Sequence, residues 1–499
     1  MLQFMKNKIL IPLVILAGLA AFFSFKYSAK FERSSQTKRK LVIETVMKTI
    51  QSGHFSPRNI DDSFSVHVYN KFINDLDYNK IFFTRQDMNN LKPYKFKIDD
   101  EIKSNSTEFF DTVDAIFMRR THAAEKYYTE ILSKPFTFTS SEMLQLNPAK
   151  EEYAADEASL GDRWHMLLKY RVLSKYVDLK NDQDKKKENK DTARIKTDVE
   201  LEAIAREDTR KLYQRYYKNI NKEKDDDRFT KYVNAIAEME DPHTEYFPPV
   251  EKKGFDELMS GSFVGIGAQL NPANDKITVS AIITGSPSWK QGELKVGDEI
   301  QKVAQGDKTP VDIQGYEIDD VVRLIRGEKG TEVRLTVKRP DGATKIISII
   351  RGVVEREEIF AKSAIIKGKD GPIGYIYLPE FYADFNHTSG RTCSVDVANE
   401  VKKLKASGVV GIILDLRYNG GGSLGDVVDM AGLFIGKGPV VQVKSSNSSP
   451  SVLRAQPGDS ILYTGPLAIM VNAGSASASE ILAAVLQDYK RAVIVGSMT

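Results

Sequence analysis

A cluster of three serines follows a run of apolar residues that is typical of a buried strand. The apolar run spans 467–472, the serines fall within 475–479, and a helical pattern continues over 481–488. Ser477 therefore lies where a helix begins. Because a helix N-terminus and an N–H group such as that of Ala478 stabilise negative charge, Ser477 is a candidate nucleophile for acyl transfer. The same stretch fits the S-x-x-E pattern of an ordinary capping box, so both interpretations stay open at this point.

A glycine-rich turn follows a second apolar run. Residues 409–417 form a continuous apolar strand of the kind that is buried in a parallel sheet, and Tyr-Asn-Gly-Gly-Gly follows at 418–422. A helical pattern continues over 424–435. N–H groups exposed at this turn can stabilise an oxyanion. A phosphate-binding loop is disfavoured, because no Gly-Lys-Ser/Thr follows the glycines.

Residues 261–351 contain short β-branched runs punctuated by glycine. Gly-Ile-Gly-Ala at 265–268 precedes a strand, and 285–300 spaces its glycines, proline and Gly-Asp as several tight turns require. Together these motifs resemble a PDZ domain. The resemblance implies that N–H groups bind the carboxylate of an apolar protein C-terminus, while the peptide adds as a strand beside a helix at 316–325. The implied peptide-binding residues are Gly265, Ile266, Gly267 and Ala268. A β-rich spacer without a ligand is the alternative.

The combination of these motifs is more specific than any one of them. Asp-Leu-Arg-Tyr-Asn-Gly-Gly-Gly, then Ser-Ala-Ser-Ala-Ser-Glu and Gln-Asp, all downstream of a PDZ-like region, resemble the carboxy-terminal processing (tail-specific) serine peptidases. Asp-Pro-His-Thr-Glu-Tyr at 241–246 and the helical N-terminal region extend the resemblance. It implies that Ser477 is the nucleophile, that the N–H groups of Gly422 and Ala478 bind the oxyanion, and that Asp488 is a supporting acid.

The resemblance also implies a Ser–Lys dyad, in which a lysine with a lowered pKa accepts the serine proton. This lysine is expected about 25 residues after Ser477, near position 502, beyond Thr499. Lys490 is no substitute, because 13 residues of mostly helical chain would hold it roughly 20 Å away. We therefore expect the sequence to be C-terminally truncated and to have no peptidase activity by itself. A noncatalytic extracytoplasmic PDZ adaptor or chaperone is the alternative function, and a lysine near 502 would decide against it.

The sequence as a whole predicts a multidomain α+β protein. The predicted parts are a signal peptide or N-terminal membrane anchor at 1–29, a helical domain at 30–250, a PDZ-like domain at 251–353 and a serine peptidase core at 354–499. Apolar residues at steps of three and four support the helical assignment. Thr84 and Asp87 predict a capping box, and the mixed-charge run 182–191 predicts a solvated loop.

Composition excludes several classes of function. The 499 residues contain 71 Lys and Arg against 68 Asp and Glu, so no net field attracts nucleic acid. Cys393 is the only cysteine, so no intrachain disulfide can form. The six histidines show no HExxH or Cys/His spacing. We therefore expect no metal, no other cofactor and no nucleic-acid partner.

The N-terminus predicts export. An apolar run over 9–25 follows Lys6 and Lys8, as in the basic and apolar regions of an export signal. Its length lies between a cleaved signal and a short anchor, so cleavage and attachment to the inner membrane both stay open. The sequence predicts that the remaining chain lies in the periplasm or on the periplasmic face of the inner membrane.

Overall fold

The computed structural model describes residues 35–188, 194–273, 276–384, 391–456 and 461–499. The predicted signal or anchor at 1–29 lies outside these residues. No helix within the described ranges is both long enough and apolar enough to cross a membrane. The chain divides into two compact units. The first comprises Met1–Pro248 with Ser445–Ser449, and the second comprises Pro249–Lys444 with Pro450–Thr499.

The first unit is helical, which confirms the predicted helical N-terminal region. Its helices are α1 (35–53), α2 (Asp62–Asp77), α3 (Arg85–Leu91), α4 (Ile98–Ser104), α5 (Glu108–Ile131), α6 (Glu157–Glu188), α7 (Asp198–Ile220) and α8 (Asp225–Ala237). They enclose an aromatic core in which Phe72 and Phe109 pack against Tyr232, with ring centroids 5.1 and 5.9 Å from the tyrosine. The predicted capping box of Thr84 and Asp87 is confirmed at the start of α3.

The loop predicted over 182–191 is wrong for its first part, because α6 continues to Glu188. Leu160, Trp164 and Leu168 are buried in the first half of α6, and residues 181–188 continue the helix with exposed or half-buried side chains. Adding a residue to an existing helix needs no further burial, and lysine, glutamine and glutamate are good helix formers. Charge patterning identified the exposure of this segment but not its conformation. Residues 189–191 lie outside the described chain.

Two buried carboxyl groups cap backbone segments of the first unit. Asp77 accepts hydrogen bonds from the N–H groups of residues 81–83, and Glu101 accepts one from the N–H of Phe109. Burial raises the pKa of Asp77 to about 6 and that of Glu101 to about 7. The folded chain thus retains protons that the unfolded chain has already released between about pH 4 and pH 7. Both groups therefore make the fold less stable as the pH rises through this window.

We expect Glu101→Gln to remove much of this pH dependence. The glutamine keeps an acceptor for the Phe109 N–H but never ionises. The difference in free energy of unfolding between the variant and the native chain should therefore shift in favour of the variant by on the order of 2–3 kcal/mol from pH 4 to pH 8. Urea unfolding from pH 4 to pH 8, followed by the fluorescence of the buried Trp164, measures the change. Glu130→Gln, on the exposed face of α5, is the matched control and should leave the slope unchanged. An unaltered slope in Glu101→Gln would contradict the assignment.

The second unit begins with α9 (Pro249–Ser260) and a small β-rich domain. Its strands are β1 (Ser262–Gly265), β2 (Ala268–Ala273), β3 (Lys276–Ile282), β4 (Glu299–Gln305), β5 (Val311–Asp312), β6 (Glu332–Lys338), β7 (Thr344–Ile350) and β8 (Gly352–Glu355), with helices α10 (Pro287–Gln291) and α11 (Ile318–Ile325). An antiparallel sheet has the order β2-β3-β4-β6-β7, so β2 is an edge strand. Alternate residues of β6, namely Val333, Leu335 and Val337, are fully buried in the core of this domain.

An α/β region completes the second unit. Its elements are β9 (Lys362–Lys367), β10 (Pro372–Tyr377), α12 (Cys393–Ala406), β11 (Gly411–Asp415), α13 (Leu424–Ile435), β12 (Gly438–Val443), β13 (Ser451–Ala455), β14 (Leu467–Val471), α14 (Ala478–Asp488) and β15 (Val493–Gly496). The sheet order is β15-β14-β11-β10-β9, and all neighbours except β9 are parallel. Cys393 is fully buried at the start of α12, and burial raises the pKa of its thiol. The predicted α+β architecture is confirmed.

Candidate active site

The two chemically distinctive turns of the sequence meet at one edge of the parallel sheet. Asp415, at the end of β11, pairs with Met470 near the end of β14 and with Tyr377 at the end of β10. Because parallel strands end at the same edge, the glycine turn after β11 and the serine turn after β14 lie side by side. The carboxyl ends of parallel strands are where α/β folds commonly build their sites.

Ser477 has a strained backbone at the junction of the serine turn and α14. Its φ is 53° and its ψ is −114°, a conformation that costs a non-glycine residue roughly 1–2 kcal/mol. The Ser477 N–H donates to Glu480 Oε2 at 2.8 Å, but within the described chain the Ser477 hydroxyl makes no capping hydrogen bond. The bond from the Ser477 N–H to Glu480 is the Glu480 half of a capping box, and Ser477 itself is exposed. A strained serine between a strand and a helix is the position that the nucleophile occupies in α/β-hydrolases.

The flanking serines have structural roles. Ser475 is buried, and its hydroxyl donates to the Leu416 carbonyl at 2.8 Å. Ser479 is also buried and donates to the Asn419 carbonyl at 2.9 Å. Both bonds tie the serine turn to the glycine turn, and both hydroxyls are occupied. Of the three serines, Ser477 is the exposed one.

The glycine turn packs directly against Ser477. A Cβ atom on Gly421, which has φ +108°, would lie 2.7 Å from the Cβ atom of Ser477, so no larger residue fits. Gly422 has φ +137°, and a Cβ atom there would lie 2.3 Å from the carbonyl oxygen of Phe381. Gly422 follows Gly421 in the glycine turn and Ala478 follows Ser477 in the serine turn, and neither of their amides donates a hydrogen bond to the described residues. The structure therefore brings Ser477, Gly422 and Ala478 together.

Asn419 joins three segments of this site and was not singled out by the sequence. Its fully buried side chain donates to the Leu378 carbonyl at 2.9 Å and accepts from the N–H of Gly421 at 2.9 Å. Its own carbonyl accepts from the N–H of Ala476 at 3.0 Å, besides the Ser479 hydroxyl. A buried, fully bonded amide between two glycine-rich turns fixes their relative positions. The only sequence signal was an asparagine directly before three glycines.

A buried carboxylate closes the end of β11 beneath the glycine turn. Asp415 accepts hydrogen bonds from the Tyr375 hydroxyl at 2.5 Å and from Arg417 Nη2 at 2.8 Å. Burial by itself would raise the pKa of Asp415, but the bonds from Arg417 and Tyr375 outweigh it and hold the pKa below its usual value. Asp415 therefore stays ionised and anchors the turn, rather than exchanging protons.

Asp488 does not lie near Ser477. It is exposed at the far end of the 11-residue helix α14, about 16 Å along the helix axis from the serine turn. Lys490 lies at the same distant end. The carboxylate that does adjoin Ser477 is Glu480, whose Oε1 accepts a hydrogen bond from the Thr499 hydroxyl at 3.0 Å. The chain that leaves β15 therefore runs toward the serine turn.

The predicted peptide-binding residues border a groove between β2 and α11. The groove has a volume of about 410 Å³. Gly265, Ile266, Gly267 and Ala268 line it together with Phe263, Gln269, Leu270, Ser280, Ile318, Val322, Ile325 and Arg326. The carbonyls of Ile266 and Gly267 accept bonds from within the domain, while their N–H groups have no acceptor among the described residues. Gly267 has φ +75°, and a Cβ atom there would lie 2.1 Å from the Cβ atom of Ser286, so only glycine fits.

Models of three protein families match successive parts of the chain. The model of the "Tail specific protease N-terminal domain" matches residues 26–250, a PDZ domain model matches 278–339, and the model of "Peptidase family S41" matches 372–499. The matched parts are thus a helical domain of the tail-specific protease type, a PDZ domain and a Peptidase family S41 domain. At the level of these three domains, the matches confirm the predicted resemblance to the carboxy-terminal processing (tail-specific) serine peptidases.

Three similar proteins illustrate the relationship. The tail-specific protease of Haemophilus influenzae is 31% identical over 465 residues, which cover 92% of this chain and 62% of that protein. A CtpA-like serine protease of Staphylococcus aureus is 35% identical over 290 residues, covering 57% of this chain and 54% of that protein. Among solved structures, the photosystem II D1 C-terminal processing protease is 25% identical, with a TM-score of 0.28 over 57% of this chain and 73% of its own. This chain thus spans 62% and 54% of the lengths of the two curated relatives.

Substitutions in the serine turn should separate strain from structural support. Ser477→Gly should raise the free energy of unfolding of the second unit by about 1 kcal/mol, because glycine adopts this conformation without strain. Ser477→Ala keeps the strain and should leave the stability nearly unchanged. Ser479→Ala should lower it by about 1–2 kcal/mol, because a buried hydrogen bond is lost. Urea unfolding measures all three, and equal stabilisation by alanine and glycine at 477 would contradict the strain assignment.

Proposed function

We propose that this protein is a serine endopeptidase that captures protein C-termini in the groove between β2 and α11 and cleaves the captured chain at Ser477. The observation that carries the proposal is the strained, exposed Ser477 next to the amides of Gly422 and Ala478, which have no acceptor among the described residues. A hydroxyl that only capped a helix would bond to that helix and would not need a strained backbone.

The chemistry is acyl transfer through a serine ester. Ser477 Oγ attacks the carbonyl carbon of the scissile peptide while its proton passes to a base. The carbonyl oxygen becomes an oxyanion, which the amides of Gly422 and Ala478 bind. Collapse breaks the C–N bond, and the departing amine takes up the proton. Water then hydrolyses the acyl–serine ester and restores the hydroxyl.

The base in this proposal is a lysine near position 502, outside the 499 residues. The direction of β15 supports it, because this strand is parallel to β14 and ends at the same edge of the sheet as Ser477. Thr499 already contacts Glu480 in the serine turn. Three further residues span about 10 Å at most, so a side chain at 502 stays within reach of the turn. A desolvated lysine there would have the lowered pKa that a base needs.

The assignment of Asp488 as the acid that orders this lysine rests on the family resemblance alone. The length of α14 separates Asp488 from Ser477 by about 16 Å. Asp488 could therefore order the lysine only if the lysine side chain approached Ser477 from the far end of α14. Glu480 is the nearer carboxylate.

Tail capture in this proposal uses the edge of a sheet. Within the described residues β2 pairs with β3 alone, so a peptide can add to its other edge as another strand while the terminal carboxylate of the peptide meets the N–H groups of Ile266 and Gly267. Leu270, Ile318 and Val322 supply apolar walls for the last side chains. These contacts favour apolar C-termini.

Export is also part of the proposal. The apolar run at 9–25 behind Lys6 and Lys8 supports a location in the periplasm or on the periplasmic face of the inner membrane. Substrates would then be envelope or exported proteins.

Tail capture can be tested by titration calorimetry with matched peptides. Peptides with a free apolar C-terminus should bind the chain, and their amidated forms should bind at least tenfold more weakly, because each charge-assisted bond to the carboxylate contributes about 1.5–3 kcal/mol. Val322→Gln, in the wall of the groove, should weaken binding. Arg323→Gln, exposed on the same helix, is the matched control. Equal affinity for free and amidated peptides would reject carboxylate capture.

Cleavage is tested by comparing these 499 residues with the chain continued through the proposed lysine. The longer chain should cleave an unfolded substrate that has an apolar C-terminus, and Ser477→Ala should abolish turnover without affecting capture. Ser475→Ala and Ser479→Ala should be milder at temperatures where they stay folded. The 499 residues alone should give essentially no turnover, because a serine hydroxyl needs a positioned acceptor for its proton.

Two outcomes would change the proposal. Ser477-dependent turnover by the 499 residues alone would place the base within them and would reject the dyad. A continued chain with no lysine near 502, with capture but without turnover, would favour the noncatalytic adaptor or chaperone, for which the complete groove between β2 and α11 is sufficient.

A further inference from the structure

A second strained residue borders the candidate active site. Tyr418 follows β11 with φ +61°, in a turn that the Asn419 N–H closes on the Leu416 carbonyl at 3.1 Å. The third position of such a turn usually holds glycine or asparagine when φ is positive, and a bulky residue there is an outlier. Tyrosine in this place therefore costs free energy that glycine would not.

The fold offers little in return for this cost. The Tyr418 side chain is 81% exposed, so burial of the ring contributes little stability. The backbone is held by its neighbours instead. The Tyr418 N–H donates to Asn472 Oδ1 at 2.9 Å, and Asn419 is fixed by its own buried hydrogen bonds. Any residue at 418 would be forced into this conformation, so the choice of tyrosine needs an explanation outside the folded chain.

The ring lies beside the serine turn. A Cβ atom on Gly474 would lie 3.0 Å from Tyr418 Cδ1 and 3.1 Å from its Cα atom. Residue 474 therefore leaves room for the tyrosine by having no side chain. Gly474 precedes Ser477 by three residues, so the exposed ring stands at the rim of the site where a substrate chain would pass.

We propose that Tyr418 is a specificity-determining residue of the proposed peptidase, whose ring binds an apolar substrate side chain close to the scissile bond. The inference rests on the proposed function. An exposed aromatic face gains stability by covering an apolar group, while the phenol oxygen at its edge stays in water. The Glu480 carboxylate, which accepts a hydrogen bond from the Ser477 N–H, disfavours acidic substrate side chains near Ser477.

The test uses amidated peptides, which leave the carboxylate groove unused, in sets that carry leucine or glutamate at each position around the cleaved bond. The chain continued through the proposed lysine provides KM and kcat. The Ser477→Ala form of the 499 residues provides Kd by fluorescence anisotropy. Tyr418→Ala and Tyr418→Gly should raise KM and Kd for the leucine peptides about tenfold, with kcat within about twofold, because an apolar contact is lost from binding alone.

Controls separate the ring from the backbone. Tyr418→Phe should keep the affinity of the native chain. Tyr489→Ala removes another exposed tyrosine, at the far end of α14, and should change neither KM nor Kd. Tyr418→Gly should also raise Tm by about 2–4 °C while losing affinity, because it relieves the strain. Unchanged KM and Kd in Tyr418→Gly would overturn the proposal. The binding measurement needs no turnover, so absent cleavage would reject the proposed peptidase activity, while the Kd values would still decide whether the ring binds an apolar side chain.

Discussion

The site depends on one buried amide. Asn419 bonds to the segment after β10, to the glycine turn after β11 and to the serine turn after β14, so three chain segments share one set of hydrogen bonds. A buried amide that lost one of these partners would leave unsatisfied polar groups, at a cost of about 1–3 kcal/mol each. The network therefore favours one arrangement of the turns, and this arrangement places Gly422 and Ala478 beside Ser477.

Strain at the site is balanced by the sheet beneath it. Tyr418 and Ser477 both have positive φ values and lie on adjoining turns, each of which follows a strand of the parallel sheet. Leu414 in β11 and Ile469 in β14 have no exposed surface. Strained conformations persist only where the surrounding structure over-determines them, and a close-packed parallel sheet does so. The strained residues of the candidate site thus lie in the turns, and the buried residues that stabilise the fold lie in the strands that precede them.

Motifs predicted the fold well because each one combines local conformation with chemistry. The apolar runs that precede the glycine and serine turns form parallel strands, as predicted. The region with PDZ-like glycine spacing forms a small β-rich domain with a groove beside its edge strand. Side-chain partners were harder to predict. The hydroxyls of Ser475 and Ser479 bond to carbonyls about 60 positions away in the sequence, and Ser477 is the serine left exposed. Local sequence patterns do not predict such long-range contacts. The helical pattern predicted over 481–488 was found as the uninterrupted α14, and the length of this helix separates Asp488 from Ser477.

The burial of the single cysteine has a practical consequence for chemical labelling. The thiol of Cys393 is fully enclosed at the start of α12, and burial raises its pKa, so at neutral pH it is a protonated group that maleimides do not reach. A cysteine introduced at the exposed Met143 of the first unit, or at the exposed Trp289 of the second, would then be the only reactive thiol of the folded chain. Cysteines at both positions would carry a donor and an acceptor dye, and Cys393 would not have to be replaced. Energy transfer between them would report in solution on the distance between the helical unit and the unit that holds Ser477.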